Sequence, residues 1–380
     1  MTKKKVLIFI DWYLPGYKAG GPIQSVANLV EHLKDEFDFS IITRDTDYCE
    51  VTPYPSVISN EWNKLPNGVN VYYISQNALT RSTIRNLIRK THFDIVYLNG
   101  IYSLYFTLIP LLYLRKKHNV KVIVAARGML AQSALNVKSA KKQFFLRAIK
   151  VLKLFDKVIF HATNDIEKKD IRNVLGDKFE IKTAANLPQK TILLKLPVRE
   201  KVVGDLRMVN IARIAPEKNL LFALHVLKRV VVNVQFDFYG PIYDQKYWEE
   251  CQRVIAELPA NVRATYKGSL SSDQVLSTLS SYHVMFMPTQ GENFGHIILQ
   301  SLMSGCPVII SDQTPWKGLV KKQIGWDFSL SDEHSFVDSI NAINGFDQSN
   351  FNTLSNQAFQ FSEKFINDPE ILEQNRYLFA

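Results

Sequence analysis

A chain of 380 residues, 46% apolar, 12% aromatic and 22% charged, is too long for a single hydrophobic core and too apolar for extended disorder; two globular domains are the expectation. Three cysteines, Cys49, Cys251 and Cys306, are odd in number and far apart, which excludes a disulfide framework or a thiolate zinc site and fits a reducing compartment. The net charge of +10 is uneven: residues 1–198 hold 30 Lys/Arg against 16 Asp/Glu (+14), leaving 16 against 20 (−4) for residues 199–380, so the first half suits an anionic partner such as nucleic acid or an anionic membrane surface.

In chain order, Val6 to Ile10 follows three lysines, but Asp11 ends this run of five apolar residues, which reads as a buried strand rather than a signal peptide. A helical pattern covers Ile23 to Leu33, and strand-like runs follow at Ser40 to Thr43, Ile95 to Leu98, Val122 to Ala125, Lys157 to His161 and Glu180 to Thr183. The longest apolar stretch, about Tyr102 to Leu114, contains Pro110 and is shorter than the ~20 residues a bilayer span requires, so no transmembrane segment is predicted. Asn186-Leu187-Pro188 and the polar stretch from Pro197 to Asp205 read as a linker, giving domains 1–198 and 199–380. Strands then recur at Arg207 to Ile211, Gln235 to Tyr239, Arg263 to Lys267, Val284 to Pro288 and Pro307 to Ser311. The tail, Asn356 to Tyr377, reads as one or two amphipathic helices, packing on the second domain or crossing back to the first. Strand and helix in alternation predict an α/β protein of two Rossmann-like, doubly wound domains facing a central cleft at the carboxyl ends of their strands.

Two segments carry candidate chemistry. Pro288 to Gly305 leaves a strand, turns through Asn293-Phe294-Gly295-His296 and enters a helix, whose first amides and dipole form an anion site. Glu292 suits hydroxyls beside a phosphate, and Gln300, about two turns on, shares its face. The bland alternative is a capped helix with incidental polar residues. In Asn210 to Asn219, Arg213 and Lys218 flank a turn at Pro216, where two cations can stabilise charge on a leaving diphosphate; a solvated basic loop is the competing reading.

Together these stretches resemble glycosyltransferase family 4, the retaining transferases of the GT-B fold, in a bacterial polysaccharide-building style. The resemblance implies that Arg213 and Lys218 hold the donor diphosphate and that Glu292, first of a pair of family glutamates, contacts the donor sugar. The second glutamate, which binds the ribose, is Gln300 here. Gly20 and Gly21, in the loop Tyr13 to Ser25, match the family's N-terminal glycine loop; the alternative is a plain strand-to-helix turn. Arg127 stands where many members have a histidine; an arginine acts there electrostatically, not as a base. His161 matches a family segment and is assigned a structural role in preference to a catalytic one.

Between Arg127 and Phe160 eight Lys/Arg (Arg127, Lys138, Lys141, Lys142, Arg147, Lys150, Lys153, Lys157) interleave with Phe144, Phe145, Ile149 and Leu152, as in a basic helix lying on an anionic membrane or packing its apolar face on the sheet. Asp45 and Asp47 mimic a metal-binding pair but lie far in sequence from the donor motifs, so no metal and no cofactor is required. The sequence therefore predicts a cytoplasmic transferase, peripheral at the inner face of the membrane. It moves a hexosyl unit from a UDP- or GDP-sugar to a saccharide or polyprenyl-diphosphate-linked acceptor in O-antigen, capsule or exopolysaccharide assembly. Gln300 keeps a second reading open, a non-catalytic sugar-nucleotide-binding or scaffolding subunit. Nucleic acid is set aside because no recognised binding motif accompanies the charge.

Overall fold

The structure, a computed structural model, describes residues 3–115, 117, 119–131, 135, 145–147, 149, 151–190 and 195–380. The chain divides into two compact units, residues 1–190 with 369–380, and residues 191–368. The division falls at 190/191 instead of after residue 198, and the final helix, Pro369–Phe379, belongs to the first unit.

The first unit holds a sheet that, among the described residues, has eight strands: β1 (Lys4–Phe9), β2 (Phe37–Arg44), β3 (Trp62–Lys64), β4 (Asn70–Ile74), β5 (Ile95–Asn99), β6 (Lys121–Ala125), β7 (Val158–Ala162) and β8 (Glu180–Thr183). Their order is β3-β4-β2-β1-β5-β6-β7-β8, parallel except for β3, which pairs antiparallel with β4. Val6 to Phe9 are all buried, as a strand covered on both faces must be, and this explains the unbroken apolar run. From β1 the chain builds outward to β4, then resumes on the other side at β5, so the order reverses between β1 and β5.

The second unit repeats the plan with β9 (Arg207–Ile211), β10 (Val234–Tyr239), β11 (Val262–Tyr266), β12 (Val284–Met287), β13 (Val308–Ser311) and β14 (Gly325–Phe328). The order is β11-β10-β9-β12-β13-β14, and every pairing is parallel. Here the reversal lies between β9 and β12. Loops leaving neighbouring strands at such a point go to opposite faces and open a crevice at the carboxyl edge, which is where open α/β sheets bind ligands. Of the segments singled out from sequence, Asn210 to Asn219 contains the loop after β9, and Pro288 to Gly305 contains the loop after β12 and the helix it enters.

The tail forms two helices. Gln348–Ile366 packs on the helix His296–Met303 within the second unit. Pro369–Phe379 packs its last ring against Phe37 and Phe39 of β2, with centroids 5.3 and 6.0 Å apart. Of the basic stretch, Lys138, Lys141, Lys142, Phe144 and Lys150 lie outside the described residues. Leu146 and Ile149 are buried and Phe145 lies 5.0 Å from Tyr102, whereas Val151 and Leu152 are exposed.

Candidate active site

The loop after β9 is pinned before it reaches its cations. Pro216 opens a short 3-10 turn over Pro216–Lys218, and Asn219 ends it in the left-handed region at φ 60°. Asparagine tolerates that conformation better than most residues, and its side-chain amide donates to the Pro288 carbonyl at 3.0 Å, tying the loop to the end of β12. The Glu217 carbonyl in turn accepts from the Gln290 amide at 2.9 Å and from the Thr289 hydroxyl at 3.0 Å. These bonds stitch the two loops on either side of the reversal point.

Across that seam Lys218 and Glu292 form an ion pair, with side chains 16% and 14% exposed. Arg213 is held differently: its guanidinium pairs with Glu217 at 3.2 Å and lies over the Tyr243 ring at 5.1 Å. The structure thus joins Lys218 directly to Glu292, while Arg213 stands on the same loop with an acid of its own. An ammonium carries three N–H groups, so Lys218 can keep Glu292 with one and offer others to a phosphoryl oxygen.

Gly295 caps the helix His296–Met303 at φ 78°. A β-carbon there would sit 2.8 Å from Ile298 Cδ1, so glycine is needed for both conformation and space. Phe294 and His296 are mostly buried with ring centroids 4.8 Å apart, and Phe294 also meets Trp316 at 5.5 Å, so this aromatic packing fixes the turn that carries Asn293. Gln300 is 6% exposed on the same helix.

In the first unit the glycine loop after β1 leads into the helix Gly21–Leu33, with Gly20 at φ 72°. Asp47 accepts from the Tyr17 amide at 3.0 Å, the Lys18 amide at 3.2 Å and the Tyr48 amide at 2.8 Å, and Asp45 accepts from the Ser59 hydroxyl at 2.6 Å. Of the acid pair that imitates a metal site, Asp47 therefore holds loop backbone and Asp45 a loop hydroxyl.

Arg127, two residues beyond β6, is bonded through each of its three side-chain nitrogens. Its Nε donates to Asn99 Oδ1 at 2.7 Å, Nη1 to Asn186 Oδ1 at 2.6 Å and Nη2 to the Tyr97 hydroxyl oxygen at 2.9 Å. The Tyr97 oxygen lies 2.8 Å from His161 Nδ1, and His161 Nε2 lies 2.9 Å from the Ala184 carbonyl. Arginine only donates and a carbonyl only accepts, so the protons are placed: Nε2–H points to Ala184, and Nδ1 accepts from Tyr97. Burial, and then the charge of Arg127, push the His161 pKa down to about 3, so the imidazole is neutral and orients Tyr97.

Several partners here escape the motif reading. Asn186 sits in the turn assigned to a linker, and Tyr97 lies within an apolar strand. Glu167, 2% exposed, accepts from the Gly128 amide at 2.6 Å and from the Thr163 amide and hydroxyl at 2.7 Å each. Asn164 caps the same helix by accepting from the Glu167 amide at 2.8 Å, so the Asn164–Glu167 spacing, that of a capping box, was the available signal.

Residues 196–344 match the family model described as glycosyl transferases group 1. No curated protein matches the sequence at a significant level. Among solved structures, the chain is similar to sucrose-phosphate synthase from Thermosynechococcus elongatus, with TM-score 0.71 and 16% identity over 100% of this chain and 98% of that one. It is similar to Anabaena HepE in complex with UDP and glucose, with TM-score 0.72 and 12% identity over 99% and 98%. A Staphylococcus aureus TarM variant in complex with fondaparinux, α-GlcNAc-glycerol and UDP aligns with TM-score 0.69 and 12% identity over 99% and 100%. At these identities the structural likenesses speak for the fold, and the match over residues 196–344 speaks for the chemistry. On both grounds the chain is a glycosyltransferase of the GT-B fold.

Proposed function

We propose that this glycosyltransferase is a retaining enzyme of the family 4 type, moving a hexosyl unit from a UDP- or GDP-sugar to a saccharide acceptor. The observation that carries the reading is the Lys218–Glu292 pair at the reversal point of the second sheet. A sugar diphosphate presents hydroxyls and phosphoryl oxygens side by side, and a carboxylate bonded to an ammonium meets both. Glu292 orients the sugar, Lys218 and Arg213 stabilise the departing diphosphate, and Gln300 holds the ribose. Asn293, Phe294, Gly295 and His296 shape the helix start that receives the phosphates, as Gly20 and Gly21 shape the loop of the first unit.

The first unit is assigned the acceptor, with Arg127 acting through its charge. The basic excess of residues 1–198 and the exposed Val151 and Leu152 support a lipid-linked acceptor, of the polyprenyl-diphosphate kind, reached from the inner membrane face during surface polysaccharide assembly. Among the described residues no helix is long and apolar enough to cross a membrane. That HepE was solved with UDP and glucose, and TarM with UDP and a glycerol-linked GlcNAc, supports a uridine donor. The test is incubation of the purified protein with UDP- and GDP-hexoses, with UDP or GDP release followed in the absence and presence of saccharides. Release from none of the donors would overturn the assignment.

A further inference from the structure

Arg127 is a non-glycine residue held in the left-handed region at φ 54°, a conformation that persists only where surrounding structure enforces it. That structure consists of three acceptors, Asn99, Asn186 and Tyr97, all neutral. His161, behind Tyr97, is neutral as well. Among the described residues no carboxylate comes within 4.0 Å of the guanidinium. Glu167, which bonds the next residue's amide, is committed to Gly128 and Thr163. A half-buried full positive charge is thus fixed in orientation by neutral groups and left without a counter-ion. Of its five N–H groups three are used, and the remaining two, one on Nη1 and one on Nη2, are left to donate to an oxyanion.

The position is suited to a ligand. Asn99 ends β5 and Arg127 follows β6, so both stand at the carboxyl edge of the first sheet. The cations assigned to the donor diphosphate, Arg213 and Lys218, belong to the other unit and follow β9. The proposed donor diphosphate thus has two cations of its own, which leaves Arg127 for another oxyanion.

We infer that Arg127 anchors an oxyanion, a carboxylate or a phosphate, carried by the acceptor saccharide, so that the enzyme prefers acidic over neutral acceptors. This rests on the first unit being the acceptor side of the proposed transfer. Arg127 binds the acceptor here, and Tyr97 and His161 are positioning residues acting through it.

Two measurements test it. The Nε–H proton of Arg127 is held by Asn99, and its NMR signal is identified by its loss in Arg127→Lys. Titrating the full chain with inorganic phosphate, with acetate and with chloride at matched ionic strength should give saturable shifts of that signal for phosphate, acetate or both. The stronger binder shows whether the oxyanion is a phosphate or a carboxylate; shifts no different from those of chloride would overturn the proposal. The second measurement compares donor turnover with glucose, glucuronate and glucose 6-phosphate as acceptors. The kcat/KM ratio of acidic to neutral acceptor should exceed one by about tenfold or more, and should collapse toward one in Arg127→Gln through acceptor KM. A donor KM that rises in Arg127→Gln with the acceptor ratio unchanged would overturn the inference while leaving the transfer reading intact. If the wild-type protein turns over no sugar nucleotide, the transfer reading fails and with it the acceptor assignment; the titration then separates an oxyanion site at Arg127 from none.

Discussion

Lys218 and Glu292 meet across the line where the second sheet reverses its strand order, one from the loop after β9 and one from the loop after β12. Both are largely covered, so the pair acts in a medium where charge is felt more strongly than in water. Lys218→Ala removes the cation assigned to the leaving diphosphate, and kcat should fall about 10²- to 10³-fold. The fold rests on strands buried elsewhere, so the thermal midpoint should move by only a few degrees. A folded Lys218→Ala protein with wild-type turnover would contradict the assignment.

Gly240 follows β10 at φ 141°, and a β-carbon there would lie 1.9 Å from the Ala212 carbonyl oxygen, beside Arg213. Backbone cannot yield as a flexible side chain does. Gly240→Ala should therefore cost about 3 kcal/mol and displace the Arg213 loop. Gly204, at φ 88° with nothing within 4 Å of the added carbon, is the control, and Gly204→Ala should cost only about 1 kcal/mol. Urea denaturation of both variants measures the difference, and equal losses would show that the clash is relieved.

Acid should weaken the fold through two buried histidines. Burial, then Arg127, push His161 down to about 3; burial, with help from Arg207, pushes His283 down to about 4. Both folded-state values lie below the unfolded value near 6.5, so the unfolded chain binds more protons as pH drops from 6.5 toward 4. The stability these groups contribute is complete above pH ~6.5 and is lost on acidification. Each adds a slope of at most about 1.4 kcal/mol per pH unit. Denaturation midpoints measured from pH 7 to pH 4.5 should decline less steeply in His161→Gln; identical slopes would show that His161 is not the group titrating.

Much of this architecture is legible because parallel strands buried on both faces leave apolar runs, as Val6 to Phe9 does. Arg207 to Ile211 and Glu180 to Thr183 have the bounds read from sequence, the second being a partly exposed edge strand of mixed polarity. The three strands not anticipated lack that signal. Trp62–Lys64 is a largely exposed edge, Asn70–Ile74 is a short run opening on an exposed asparagine, and Gly325–Phe328 opens on a glycine packed against Val308 backbone. Candidate residues showed the same division. Lys218 and Glu292 each follow a strand by a turn that can be read locally, whereas Tyr97, Arg127, His161 and Asn186 come from four separate segments. Only the strand order β5-β6-β7-β8 brings them together, and no spacing encodes that order.

Gln300 lies one face along the helix from the turn that carries Glu292, and 94% of it is covered, so whatever it touches it touches without much water. An amide offers one acceptor oxygen to a pair of ribose hydroxyls, where a carboxylate offers two with full charge. Gln300→Glu should therefore tighten UDP or GDP binding several-fold, read by calorimetry. The gain should be modest because the new carboxylate is buried and must hold its charge there. Loss of binding in Gln300→Glu would mean that the amide N–H groups make the essential contact, and the ribose assignment would pass to another residue.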